Sequence, residues 1–173
     1  MRLEVHRRLA DLSEAAGKEY GKLVQKLLAV AFLEAGAGAV TDRSTQGIDL
    51  EVELDGAALA LEVKTTEGGA LRFGKKDLDG LAAREAGGAR AYLAVLGPGL
   101  LDEWTLARFH RGELRPSQSY SLTELRPYRD GALERRVRET FPAAVLAHAA
   151  AAARGGQRAL DEVLARYPGY RPA

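Results

Sequence analysis

Gly47-Ile48-Asp49-Leu50-Glu51-Val52-Glu53-Leu54-Asp55-Gly56-Ala57-Ala58-Leu59-Ala60-Leu61-Glu62-Val63-Lys64 is two alternating apolar segments joined by an Asp-Gly pair. Such a pair predicts a two-residue type I′ hairpin, because that turn needs positive φ at both central positions. Folding outward from the turn sets the register: Leu54 meets Ala57, Glu53 meets Ala58, Val52 meets Leu59, Leu50 meets Leu61, and Asp49 falls opposite Glu62. Lys64, two residues beyond Glu62, shares its face. One face then carries Asp49, Glu51, Glu53, Glu62 and Lys64. The other carries Ile48, Leu50, Val52, Leu54, Leu59, Leu61 and Val63.

Two carboxylates directly opposite each other in a sheet repel, and a lysine at either position would cure it. The pairing makes sense around a divalent cation, since Mg²⁺ takes one or two carboxylates, several waters and substrate phosphate. The bland alternative is a half-exposed hairpin with a polar outer face, where Glu and Lys commonly alternate with Leu and Val.

A chain of 173 residues holds one domain with a proper core, and room for a small appendage. The longest apolar run, residues 27–33, is too short to span a bilayer. The N-terminus lacks the apolar core of a signal peptide, so a cytoplasmic protein with no membrane partner is expected. The absence of cysteine excludes disulfides, thiolate catalysis and zinc–thiolate sites. The absence of asparagine and a single methionine hint at a thermophile, although a GC-rich genome gives a similar bias. A net charge of +1 neither demands nor forbids nucleic acid; a DNA enzyme with this balance needs local segregation of charge.

Around the hairpin, residues 1–17 read as a short helix with Val5, Leu9 and Leu12 inward. Residues 18–35 form the strongest helical pattern, with Leu23, Val24, Leu27, Leu28, Ala31 and Phe32 on one face and Gly36 as its C-cap. Residues 37–44 read as a first strand. A break at Glu67-Gly68-Gly69 precedes a second helix over 74–84 and a buried strand over 91–96. Residues 103–109 are a further strand, 116–121 loop, and 130–167 helical and rich in Ala and Arg. This is an α/β layout with a mixed sheet, since the hairpin is antiparallel and the second helix allows a parallel crossover.

Asp49 on one hairpin strand, Glu62-Val63-Lys64 on the next, and the order helix, strand, hairpin, helix, strand resemble the PD-(D/E)XK nuclease superfamily. Archaeal Holliday junction resolvases and Mrr-like nucleases are members. The resemblance covers about residues 18–97, and Thr41-Asp42-Arg43-Ser44-Thr45-Gln46-Gly47 is similar to the loop before the aspartate in resolvase-like members. It implies a restriction-endonuclease-like fold, a mixed central sheet flanked by helices with an αβββαβ core, carrying an α-helical C-terminal extension. The expected organisation is a nuclease-like core over 1–121 with its N-terminal helix, and a helical extension over 122–173 that packs on the core or forms a dimer contact.

The resemblance also implies a site. Asp49, Glu62 and the Val63 backbone carbonyl would hold Mg²⁺ or Mn²⁺, and Lys64 would act at the scissile phosphate. Two carboxylates beside Lys64 favour its charged form, so an electrostatic role is expected ahead of a general-base one. Many relatives carry a Glu on the first helix, and counting back from Gly36 puts that position at Gln25. Its amide oxygen could hold a metal-bound water; the alternative is a surface glutamine on the helix flank. Arg43, Ser44, Thr45, Arg72, Lys75 and Lys76 would form a basic, hydroxyl-bearing rim for DNA, or be solvated surface groups. The implied function is a metal-dependent DNA endonuclease, acting on branched or modified DNA as a homodimer through the Ala-rich tail. The alternatives are a catalytically weak module of the same fold that binds DNA or a partner protein, and an interaction protein whose hairpin acids are incidental.

Overall fold

Two helices, α1 (Arg2–Ala16) and α2 (Tyr20–Glu34), open the chain. The computed structural model describes residues 2–43, 47–97 and 103–172. The strands β1 (Ala39–Asp42), β2 (Leu50–Leu54) and β3 (Ala57–Thr65) follow. Asp55 and Gly56 both take positive φ, 51° and 76°, as the predicted hairpin turn requires. After β3 come β4 (Ala70–Arg72), α3 (Lys75–Ala86), β5 (Arg90–Leu96) and β6 (Trp104–Arg108). The chain ends with β7 (Ser119–Ser121), α4 (Leu122–Leu125), α5 (Gly131–Leu164) and β8 (Tyr170–Pro172).

Six strands form one mixed sheet in the order β6-β5-β3-β2-β1-β8. β3 and β5 are parallel, with α3 as the crossover helix, and the β2–β3 pair is antiparallel. Side chains from α1, α2 and α5 share a core with Leu50, Val52, Leu59 and Leu61 on one face of the sheet. Leu78 and Leu81 of α3 share a second core with Ala60, Leu93 and Val95 on the other. The expected mixed sheet flanked by helices, with a C-terminal helix added, is the architecture observed.

α2 is buried from Leu23 through Phe32, Gln25 and Lys26 included, because it lies between the sheet and α5. A one-sided amphipathic stripe does not anticipate a helix covered on both sides. Lys26 Nζ lies 2.8 Å from Asp42 and 2.6 Å from Asp161, so one ammonium ties α2 to β1 and α5. Burial pushes that lysine down, but the two carboxylates outweigh it and hold it above its ordinary value. The small residues Ala144, Ala149 and Ala152 are buried within the chain, where α5 meets α1 and α2. Trp104 packs edge-to-face on Phe141 at 5.2 Å.

Three short strands depart from the sequence expectation. β4 and β7 pair with each other as a small ribbon, where 116–121 reads as loop. β8 pairs in parallel with β1 at the sheet edge. Each is three residues long, too short to display the two-residue period that marks a strand.

Candidate functional site

The β2–β3 register runs as expected from Leu54↔Ala57 to Leu50↔Leu61, and there it stops. The Asp49 amide donates to the Leu61 carbonyl at 2.9 Å, so Asp49 is not a regular cross-strand partner of Glu62. Ile48 consequently packs in the α3-side core, not beside Leu50. The cause is an approach of α3 to the loop before Asp49. A Cβ on Gly80 would stand 1.9 Å from the Gly47 carbonyl oxygen, and Gly47 itself takes a φ of 77°. Two glycines thus let helix and loop touch backbone to backbone, and the chain enters β2 one step out of the simple register.

That slip separates the contacts of the two acids. The Asp49 carboxylate accepts from the Val63 amide at 2.9 Å and faces Lys22 of α2, whose Nζ is 3.3 Å from its other oxygen. Glu62 faces Lys64, 2.8 Å from its Nζ, and Lys64 reaches Asp77 on α3 at 3.0 Å. Asp77 also accepts from the Gly74 amide at 3.0 Å, fixing the start of α3. Asp49, Glu62 and Lys64 lie at one end of the sheet, Asp49 in contact with Lys22 of α2 and Lys64 with Glu62 and with Asp77 of α3.

The electrostatics still join them. Glu62 is 4% exposed. Burial, and then the charge of Asp49, push its carboxyl up to about 7, against the opposing pull of Lys64. Lys64 is pushed down by burial, but Glu62 and Asp77 together hold it above the ordinary lysine value. It is therefore a cation at neutral pH.

Gln25 is neither a surface residue nor aimed at the site by its oxygen alone. It is 2% exposed. Its amide nitrogen donates to Asp42 at 2.6 Å and more weakly to the Asp49 carbonyl at 3.3 Å, while its oxygen accepts from Lys22 at 3.1 Å. The missing acid has a local explanation. Asp42 already supplies a buried carboxylate at this place, and a glutamate at 25 would set two acids against each other.

The predicted basic rim is mixed. Arg43 pairs with Glu51 at 2.6 Å, and Arg84 takes the other oxygen of Glu51 at 2.8 Å. Lys75 pairs with Asp79 on its own helix. Lys75 and Lys76 line an open groove with Gly47 and Gly80, beside the loop that leads to Asp49. Arg72 is exposed on β4. Ser44 and Thr45 lie outside the described residues. Lys22 and Asp77 are site residues that the sequence reading passes over, and Asp42 enters it only as part of the loop before Asp49. Asp77 carries a signal, as an acid in the first turn of a helix opened by Gly74.

Among the described residues no group of three His, Asp or Glu side chains is placed to hold a metal ion, and no helix is long and apolar enough to cross a membrane. A phosphate-assisted Mg²⁺ or Mn²⁺ site needs only one or two carboxylates. Asp49 and Glu62 fit it: the donors are hard oxygens, and a cation near both would offset the burial, and then the Asp49 charge, that lift Glu62.

No protein-family model matches the sequence, and no curated protein matches it. Among solved structures, that of Archaeoglobus fulgidus Hjc, a Holliday junction resolvase from an archaeal hyperthermophile, matches with a TM-score of 0.53. The match is 20% identical and covers 65% of this chain and 93% of that one. At this identity the likeness is one of fold, and the chain has the restriction-endonuclease-like fold.

Proposed function

We propose that this chain is a divalent-metal-dependent DNA endonuclease, with branched DNA as its preferred substrate. What carries the reading is the convergence of Asp49, Glu62 and Lys64 at one sheet end, in the fold of a solved Holliday junction resolvase. Asp49, Glu62 and the Val63 carbonyl hold Mg²⁺ or Mn²⁺, which supplies polarisation of the phosphodiester and activation of water. The Val63 amide fixes one oxygen of the Asp49 carboxylate. Lys64 stays protonated and stabilises charge developing on the phosphoryl oxygens, while Asp77 holds its ammonium in place. Gln25 positions Lys22 through its amide oxygen and braces the Asp49 backbone through its nitrogen. Arg43, Ser44, Thr45, Arg72, Lys75 and Lys76 line the DNA approach, and a homodimer supplies the two sites that a pair of strands needs.

The neutral Gln25 supports a second reading, a module of this fold that binds branched DNA without cutting it. Two measurements test the first. Mn²⁺ is expected to raise the melting temperature of the wild type, and Asp49→Ala to abolish the rise. A labelled four-way junction is expected to bind more tightly than linear duplex of the same sequence. No Mn²⁺ response overturns the metal site, and equal binding to both DNAs overturns the substrate preference.

A further inference from the structure

Lys22 stands in the first turn of α2, with its side chain 38% exposed and its Nζ 3.3 Å from Asp49 Oδ1. Its other partner is the Gln25 amide oxygen at 3.1 Å. That oxygen is held in place because the Gln25 nitrogen is committed to Asp42, and Asp42 in turn to Lys26. Lys22 is thus a solvent-reaching cation seated on the aspartate assigned to the metal, with a second, neutral acceptor beside it. An ammonium and a divalent cation cannot share one carboxylate without mutual repulsion. The neighbouring Gly21 is exposed, and a Cβ there would meet nothing within 4 Å. No packing demands this glycine, and it leaves room for another backbone to come close to Lys22.

Resting on the metal-site reading above, we propose that Lys22 is an exchangeable counter-ion of the site. It occupies Asp49 in competition with the divalent cation and, once displaced, binds a phosphate of the DNA backbone. The two roles use one flexible side chain. Its four-carbon stem can leave Asp49 while the Gln25 oxygen keeps it near the site. In the exchange a divalent cation takes the place of one ammonium charge at Asp49, the extra positive charge lying near Glu62, and the displaced ammonium pairs with a phosphate.

The test uses the full chain, Mn²⁺ alone as the first probe, and a four-way DNA junction in Ca²⁺ as the second. Lys22→Met is expected to reach half its Mn²⁺-dependent rise in melting temperature at about fivefold lower Mn²⁺ than wild type, the equilibrium worth of one half-exposed ion pair. It is also expected to bind the junction more weakly, with a log–log salt slope smaller by about 0.9, so that the wild-type advantage shrinks about 3.5-fold between 50 and 200 mM salt. Lys22→Arg is expected to restore the slope. A metal midpoint that is unchanged or raised in Lys22→Met overturns the competition. An unchanged salt slope overturns the phosphate contact. Loss of the Mn²⁺ response in wild type itself overturns the underlying site, and this inference with it.

Discussion

Replacing Glu62 by glutamine is expected to stabilise the metal-free protein at alkaline pH and leave it unchanged in acid. The reason is the environment of Glu62. Burial and the Asp49 charge raise its carboxyl from 4.5 to about 7 in the fold. Below pH 4.5 the folded and unfolded chains both carry the proton, and Glu62 imposes no electrostatic penalty. Between pH 4.5 and 7 the unfolded chain releases the proton and the folded chain keeps it, so stability falls as pH rises. Above pH 7 the penalty is complete. From 4.5 to about 7, at 1.36 kcal/mol per unit, it comes to about 3 kcal/mol. Glutamine has a similar shape and no charge to bury. Urea unfolding of wild type and Glu62→Gln in EDTA, at pH 4.5 and pH 8, reports on this group, because titrations that do not couple to Glu62 cancel in the difference. The gap in ΔG should be near zero at pH 4.5 and about 3 kcal/mol in favour of the variant at pH 8. Saturating Mn²⁺ at pH 8 should raise wild type and not the variant. A variant no more stable than wild type at pH 8 in EDTA refutes the claim that Glu62 is held ionised at a cost.

Gly80→Ala is expected to destabilise by about 1–3 kcal/mol, where a helix-interior glycine ordinarily gains about 1 kcal/mol from alanine, because the new Cβ overlaps the Gly47 carbonyl. Thermal melting reports the sign, and a stabilised variant removes the reason given for the slip at Asp49. Gln25→Glu is expected to cost about 1–3 kcal/mol at pH 8 by setting a carboxylate against Asp42, and Asp42→Asn in the same chain should recover it. Additive effects in that double-mutant cycle would show the two side chains uncoupled. Trp104→Ala is expected to cost about 3–5 kcal/mol, since the ring fills the core against Phe141, whereas Trp104→Phe should lose under about 1.5 kcal/mol.

The hairpin was legible because its determinants are local. Asp55-Gly56 fixes the turn, and alternation fixes the strands on either side. The fate of Asp49 was not, because it depends on α3 reaching the Gly47 loop, a contact of Gly80 with Gly47 that is distant along the chain. Alternation predicted one face for Asp49, Glu62 and Lys64; the slip divides them between α2 and α3 while keeping them near one another. Gln25 reads from the sequence as a holder of metal-bound water or as a surface glutamine, and in the fold it is buried. Its partner Asp42 lies on β1, and nothing in the spacing of the two betrays that they touch. The Ala-rich stretch reads as packing on the core or as a dimer contact, and in the fold it lets α5 sit close on α1 and α2.

Whether these groups cut phosphodiester bonds is decided by nicking of supercoiled and four-way-junction DNA in Mn²⁺, wild type beside Lys64→Ala. Nicking by the wild type is expected, with a loss of about a hundredfold or more when the Lys64 ammonium is removed from the site. Equal nicking by both proteins, or none by either while junction binding persists, would contradict it.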